Sequence, residues 1–532
     1  MQIDRDQFIR QTVEEAAPLE KAYSLAEWEA AVSGTEQANR RTQEAQAAML
    51  RFWSDPARYE LAVGYDRESE DTDPVSARQI RLLRLGAAKA QQDEETIQAL
   101  TQLEAQVRDR YYNFRGKVDG AELSNNELDM ILANSHDPLE VKAAWEASKQ
   151  IGLEAAELIR QLARVRNIPA RSQGYRDHFE RALALDEIDE KALVSLFSEL
   201  ESSSRRPYAA LKAEIDRQRA SLFGVRLEDL RPWHYGDPFF QYVPKTGGVD
   251  MDALFAGKDP TVLAKATYDG LGMEVRDILA RSDLYPRPGK NQHAFCIDID
   301  RQGDVRTLNN LVENLRWNNT LHHELGHAVY YMYIDAELPW LLRSPSHTLT
   351  TEGIAQLMGS LVEDREWLTL IADVPRAEAS RVSQAAAEHR RAENLIFIRW
   401  CMVMAHFERA LYADPEQDLD NLWWDLVERF QNVRRPEGHN APDWAAKYHL
   451  ALAPVYYHNY ALGLLVTEQF EAHLRREAGG FVGRASAGDW LKERVFFPGA
   501  REVWTEHIAS ATGEPLNPRY FVEASTATPD PG

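Results

Sequence analysis

Several kinds of residue and pattern are scarce in this sequence, and each shortage excludes something. Cysteine occurs only at Cys296 and Cys401 in 532 residues, so a disulfide framework is not part of the design. No run of 18 or more apolar residues is present, so no transmembrane helix is expected. The start, Met1-Gln2-Ile3-Asp4-Arg5-Asp6, has no apolar core of a secretion signal. Together these favour the cytoplasm, with a periplasmic or secreted location left for a chain whose signal has been removed. Positive charge is also short. The 61 Lys and Arg against 84 Asp and Glu leave a net charge of −23, which argues against nucleic acid or an anionic membrane as a partner. There is no short-period repeat and no low-complexity linker. Nothing sets an oligomeric state, and a monomer is compatible with the sequence.

What is present suits a large folded chain. Hydrophobic residues at 44% can fill a sizeable core, and the length exceeds that of a usual single domain. Most of the chain reads as helix. Ser24-Leu25-Ala26-Glu27 and Ser124-Asn125-Asn126-Glu127 have the spacing of a capping box. Asp137-Pro138 opens a helix predicted to run from about Leu139 to about Arg166, where Asn167-Ile168-Pro169 stops it. Its apolar face is Val141, Ala144, Trp145, Ile151, Leu158, Leu162 and Val165. A second long helix is predicted from Glu190 to Phe223, with Pro207 as a break or kink. The charged stretch from Gln91 to Arg110 reads as a solvated helix, and residues 525–532 as a disordered tail. One segment reads as strand. His293 to Asp300 alternates polar and apolar residues, Gln302-Gly303-Asp304 turns, and Val305 to Leu308 can return beside it. Such a strand can pair its free edge with an extended peptide, or it can be purely structural.

The densest chemistry lies in His322-His323-Glu324-Leu325-Gly326-His327. His323 to His327 is an HExxH motif, and histidines at i and i+4 share one face of a helix, where both can reach one metal ion. Glu324 is placed to act as general base toward a water at that site. The apolar continuation Ala328-Val329-Tyr330-Tyr331-Met332-Tyr333 makes this a buried helix rather than a surface one. A catalytic zinc needs a third protein ligand. Thr350-Thr351-Glu352-Gly353-Ile354-Ala355-Gln356 offers Glu352 in the first turn of a helix that Thr350 or Thr351 can cap. The intervening loop, with Pro339 and Pro345, turns the chain back. Glu337, at the end of the motif helix, would point away, and Glu363 and Asp364 lie about 16 Å further along at 1.5 Å per residue. No third histidine completes HExxHxxGxxH, so that ligand pattern is excluded. Further on, Ala446-Lys447-Tyr448-His449 and Tyr456-Tyr457-His458-Asn459-Tyr460 hold possible oxyanion donors and a lysine able to meet a carboxylate. By spacing alone, tyrosines at i and i+3 on a helix are more often packing residues.

These motifs resemble those of the angiotensin-converting enzyme family of zinc peptidyl-dipeptidases, within the gluzincins, in a bacterial-type form. The thimet and oligoendopeptidase family is a near neighbour. The resemblance rests on His323 to His327 followed by Tyr330-Tyr331, on Glu352 25 residues after His327, and on His293-Ala294 30 residues before His323. It rests also on Ala446-Lys447-Tyr448-His449, on Tyr457 and Tyr460 after one inserted residue, and on Leu128 to Ser135 with Ala143-Ala144-Trp145-Glu146. It spans roughly residues 125 to 475.

The resemblance implies a mainly α fold, a two-lobed helical ellipsoid with a deep central channel and a small antiparallel sheet beside the zinc helix. It implies one catalytic domain of two helical subdomains over residues 1–524. It implies one Zn2+ per chain on His323, His327 and Glu352, with Glu324 as base and His449 and Tyr460 on the oxyanion. His293 and Ala294 would hold an oligopeptide substrate, and Lys447 and Tyr457 its C-terminal carboxylate, for release of dipeptides. An oligoendopeptidase or a carboxypeptidase on the same scaffold is the alternative. A non-catalytic peptide-binding protein is a weaker one, since it would gain nothing from Glu324. Three positions depart from the family. Asn459 replaces the chloride-binding arginine of the animal enzymes, which predicts activity independent of chloride. A glutamine that contacts the substrate carboxylate has no clear counterpart and is expected near Trp233-His234-Tyr235. Gln356 stands where an aspartate usually orients a zinc histidine.

Overall fold

The computed structural model describes residues 3–68, 73–244 and 251–526. Caps set the early helix starts. Asp4, Thr35, Asp55, Asp73 and Asp93 each accept a backbone N–H and open α1 (Arg5–Ser33), α2 (Glu36–Trp53), α3 (Pro56–Arg67), α4 (Pro74–Ala90) and α5 (Glu94–Asn113). A hairpin follows, β1 (Gly116–Val118) and β2 (Ala121–Leu123), which the sequence reading missed. Its signal was Asp119-Gly120, whose φ values of 49° and 86° suit a tight turn. The Ser124 capping box opens α6 (Asn125–Asn134), and Asp137 with Pro138 opens α7 (Pro138–Ser172), both as predicted. α8 (His178–Leu185) and α9 (Glu190–Phe223) follow.

The second half begins with α10 (Pro260–Gly270) and α11 (Arg276–Arg281). The antiparallel hairpin β3 (Phe295–Asp298) and β4 (Val305–Leu308) pairs Phe295 with Leu308 and Asp298 with Val305. Then come α12 (Leu315–Met332), α13 (Thr348–Ser360), α14 (Arg365–Leu370), α15 (Arg376–Ala413) and α16 (Leu419–Gln431). The chain closes with α17 (His449–Leu452), α18 (Tyr457–Ala478), α19 (Ala485–Leu491), α20 (Trp504–Thr512) and α21 (Arg519–Thr526). The fold is mainly α, with two small antiparallel hairpins among the described residues.

Several local expectations are corrected. Ser24 to Glu27 caps nothing, because Asp4 has already started α1 and Ser24 is buried in its interior. α7 runs through Pro169 to Ser172. The proline falls in the last turn, where it forfeits a single hydrogen bond and its buried ring packs. Pro207 likewise sits inside α9 without ending it. The charged helix α5 is largely exposed as expected, yet it buries Thr96 and Val107. His293 and Ala294 precede β3 rather than lie in it. Glu337 lies beyond α12, its N–H donating to Asp335. α13 is capped by His347, whose Nδ1 accepts the Leu349 N–H at 3.1 Å, and not by Thr350 or Thr351. Of the expected tail, Ser525 and Thr526 complete α21, and residues 527–532 fall outside the described residues.

One contiguous core joins α5 through α21, from Val107 to Phe521. Smaller cores seat the N-terminal helices on it, with Phe8, Ile9 and Ile80 against Leu341, and Trp28 against Ile299 and Leu308. No helix among the described residues is long and apolar enough to cross a membrane. The packing that matters most for function is α12 on α13. A Cβ at Gly326 would lie 2.9 Å from the Ala355 Cα and 3.1 Å from the Met358 Cγ. A Cβ at Gly353, on the other side of α13, would lie 2.7 Å from Val466 Cγ1 on α18. Glycine at both positions lets three helices approach backbone to backbone.

Helix propensity alone favours Gly326→Ala by about 1 kcal/mol. Overpacking against Ala355 costs about 1–3 kcal/mol. The variant is expected to melt below wild type and to bind zinc more weakly, as read by calorimetry and metal titration. A variant more stable than wild type with unchanged metal affinity would show that this contact sets nothing.

Candidate functional site

The close approach of α12 and α13 brings three candidate ligands together. One ligand atom each from His323, His327 and Glu352 lies within 4.8 Å of the others. His323 Nε2 is 3.8 Å from Glu352 Oε2, and His327 Nε2 is 3.9 Å from Glu352 Oε1. An ion with bonds of about 2.0–2.2 Å can bridge such a span, and two histidines with one glutamate are a donor set of catalytic zinc sites. The side chains of His323 and Glu352 remain 27% and 36% exposed, so one side of the group is open.

The His327 ring is fixed from outside. His327 Nδ1 bonds the Thr351 hydroxyl at 2.7 Å, and the Ala355 backbone lies near enough to His323 to favour its charged form slightly. Both histidines are held neutral, with pKa values pushed down to about 3 and about 4, first by burial. Neutral imidazoles with the second nitrogen engaged are what a metal requires. Gln356 takes no part in this. Its Oε1 accepts from Thr467 of α18 at 3.4 Å, which corrects the expectation that it might orient a zinc histidine. Glu324 is buried, and burial, then the Glu352 charge, push its pKa up to about 8. Glu363 and Asp364 are occupied elsewhere, Glu363 near Arg390 and Asp364 as the cap of α14.

A second cluster forms around Lys447, where a short 3-10 turn (Asp443–Ala446) leads into α17. The Lys447 Nζ donates to Gln241 Oε1 at 2.9 Å and stands 5.3, 5.4 and 5.9 Å from the ring centres of Phe239, Trp400 and Tyr457. Gln241 lies six residues beyond Trp233-His234-Tyr235, where the sequence reading expected a glutamine. The loop that carries it is wound round Asp237, whose carboxylate accepts the N–H groups of Phe239 (2.8 Å) and Gln241 (3.0 Å). Burial pushes Lys447 down to about 8, against the opposing charges of Asp237 and Asp129.

His449, Tyr457 and Tyr460 continue the same wall. The rings of His449 and Tyr457 are 5.1 Å apart, and those of Tyr457 and Tyr460 5.4 Å. Burial, then nearby Lys447, lower His449 to about 4, so the ring is neutral near pH 7. Burial raises Tyr460 to about 12, and the Glu352 charge contributes, so this phenol is protonated and close enough to the metal group to sense it. His293 is exposed at the entry to β3, with its N–H donating to Asn291. β3 itself lies beside α12, and Cys296 on it is within electrostatic reach of Glu324.

Replacing Thr351 by valine removes the partner of His327 without changing shape greatly. Zinc affinity is expected to fall about 10- to 100-fold, the usual loss when such a partner is removed. Thr351→Ser should keep most of it. Competition with a chelator measures both, and equal affinities for all three proteins would exclude an orienting role.

Comparison with known proteins places this geometry in context. Residues 277–526 match the family model for Peptidase family M3, and residues 2–218 match the one for Angiotensin-converting enzyme. The chain is 22% identical over 425 residues to angiotensin-converting enzyme of Rattus norvegicus, covering 73% of this chain and 32% of that protein. It is 22% identical over 344 residues to angiotensin-converting enzyme-related protein of Drosophila melanogaster, covering 60% and 48%. It is 23% identical over 263 residues to carboxypeptidase 1 of Bacillus subtilis (strain 168), covering 43% and 51%. The matches thus span about a third to a half of the length of these relatives. With two separate parts of the chain, each less than half of it, matching these two peptidase families and the His-His-Glu group assembled on α12 and α13, the chain resembles the angiotensin-converting enzyme family of gluzincins, with Peptidase family M3 as its near neighbour.

Proposed function

We propose that the protein is a zinc peptidyl-dipeptidase that releases dipeptides from the free C-terminus of oligopeptides. Residues 1–524 act as one catalytic domain in this reading. His323, His327 and Glu352 would hold one zinc ion, which as a Lewis acid would polarise the scissile carbonyl and acidify water. Glu324, kept ionised by the positive charge of a bound ion against the burial that raises its pKa, would take the proton of the attacking water and pass it to the leaving amine. Tyr460, protonated, and His449, neutral, donate hydrogen bonds to the oxyanion. The backbone around His293 and Ala294 holds the peptide extended. Lys447, Gln241 and Tyr457 grip the terminal carboxylate, and their distance from the cutting site sets how many residues are released.

The observation that carries the C-terminal reading is the Lys447 ammonium, paired with Gln241 at 2.9 Å inside three aromatic rings. An ammonium so desolvated is a strong counter-charge for one carboxylate. Carboxypeptidase 1 of Bacillus subtilis among the relatives supports the broader idea of action at a free C-terminus. The unpaired Cys296 and Cys401 fit a reducing compartment, and we assign the protein to the cytoplasm on that ground.

Mass spectrometry of the products from a decapeptide tests the activity. Dipeptides shed in sequence from the C-terminus are expected. Single residues would make the enzyme a carboxypeptidase, and internal fragments an oligoendopeptidase. Glu324→Gln is expected to keep its zinc while turnover falls about 10²- to 10⁴-fold, the range for a lost general base. Near-normal turnover would mean that another group takes the proton.

The pH dependence tests Lys447. Its lowered pKa of about 8 means that the ammonium is complete below that value and is lost above it. The kcat/KM for a free-acid peptide should therefore fall above about pH 8, while that for the C-terminally amidated peptide should not. At pH 7 amidation should itself cost about one to two decades in kcat/KM, the worth of one charge-assisted contact. Parallel profiles for acid and amide would exclude Lys447 as the carboxylate group.

A further inference from the structure

The segment that joins His449 to Tyr457 is held from behind by two polar side chains outside the site, Arg166 and Glu408. Arg166 of α7 donates to the carbonyls of Leu450 and Ala451 in α17, at 3.4 and 2.5 Å. The same guanidinium reaches the Tyr412 hydroxyl at 3.3 Å and the Glu104 carboxylate at 2.9 Å. Further along, the Val455 N–H donates to the Glu408 carboxylate of α15 at 2.8 Å. Glu408 is 1% exposed and lies one helical turn from Tyr412. Asn167 ties the two supporting helices together, its side-chain amide donating to the Tyr412 carbonyl at 2.8 Å.

Val455 itself is strained. Its φ is 52°, in the left-handed region, where a β-branched residue is an outlier. It is buried, and it directly precedes Tyr456 and the start of α18. Such a conformation persists only where the surroundings over-determine it, and it tends to accompany function. A buried main-chain N–H needs an acceptor, and Glu408 is the one supplied here. If that acceptor went, the turn could relax, and the first turn of α18 would rotate with Tyr457 and Tyr460 on it.

We propose that Glu408, with Arg166, is a positioning residue: it locks Val455 in its left-handed turn and so fixes Tyr457 and Tyr460 relative to His449. This rests on the roles given above to His449, Tyr457 and Tyr460. Donors to a developing oxyanion act only within a narrow distance range, so a shift of the tyrosines of about 1 Å would cost turnover far more than folding.

A double-mutant cycle between Glu408 and Tyr460 tests it, with zinc content and melting temperature measured on every variant. Tyr460→Phe is the control for the functional reading; if it leaves kcat/KM at the wild-type value, that reading fails and this proposal with it. Given a large loss in Tyr460→Phe, Glu408→Leu is expected to lower kcat/KM about 10- to 100-fold in wild type at full zinc content, as a misplaced donor would. In the Tyr460→Phe background it should cost no more than about 3-fold, because both changes remove one contribution. Glu408→Gln, whose amide oxygen can still accept the Val455 N–H, should restore most of the activity. Equal losses in both backgrounds, or unchanged kinetics, would overturn the proposal while leaving the functional reading in place. Val455→Gly covers the case in which Glu408→Leu does not fold. It relieves the strain, so a merely structural role predicts equal or better stability with normal kinetics. Added to Glu408→Leu it removes the strain that would prevent folding, and the positioning role predicts kcat/KM of that double variant several-fold below that of Val455→Gly alone.

Discussion

Two helices can share one metal ion only if their backbones come close, and here that approach depends on the absence of a side chain at Gly326. Its Cα faces the backbone of Ala355, with no room for a methyl group between them. From that contact follows the distance between the histidines of α12 and the carboxylate of α13, and also the bond that orients His327. Thr351 can serve His327, and the Ala355 backbone can lie near His323, only because α13 is pressed against the motif helix. Gly353 repeats the device on the opposite face of α13 and draws in α18, which carries the tyrosines. Burial between these helices then sets the protonation states: neutral imidazoles and a protonated Tyr460.

The second centre is built on a different principle. Phe239 lies between two buried lysines, with the Lys149 Nζ 3.4 Å and the Lys447 Nζ 5.3 Å from its ring centre. Among the described residues each ammonium has one hydrogen-bond acceptor: the Pro238 carbonyl for Lys149 at 2.7 Å, and the Gln241 side-chain oxygen for Lys447 at 2.9 Å. The acceptors differ in kind. Lys149 is tied to the backbone of the loop wound round Asp237 and braces it, whereas Lys447 is tied to a side chain, and in the proposed reading it is the one that meets the substrate anion. Burial makes that contact selective, since a desolvated ammonium rewards a full charge far more than a dipole.

The metal group and the lysine wall lie on different elements, and the joint between them is the run from α17 to α18. That run contains a strained buried valine and is braced by Arg166 and Glu408, which come from α7 and α15. The long helices therefore do more than enclose a core: they carry the polar side chains that hold a short irregular segment in place. Irregular backbone needs such support, because it cannot satisfy its own N–H and C=O groups as a helix does.

Much of this was legible in the sequence wherever chemistry is written at fixed local spacing. The i,i+4 histidines, the Ser124 capping box, the Asp137-Pro138 start and the bounds of α9 depend on helical geometry within a few residues, and each lies where the pattern put it. The same local logic misled where a tertiary contact outweighed it. Ser24 sits inside a helix already capped upstream, Pro169 continues a helix because its ring is buried, and His347 rather than a threonine caps α13. Gln241 could not be paired with Lys447 from sequence, since 206 positions separate them. Nor could Thr351 be given to His327, or Glu408 to Val455, because nothing in the spacing says which faces of which helices meet. Spacing along one helix determines which side chains share a face; which faces come together is decided only by the packing of the whole chain, because that is where backbone approach, burial and the pairing of distant polar groups are settled.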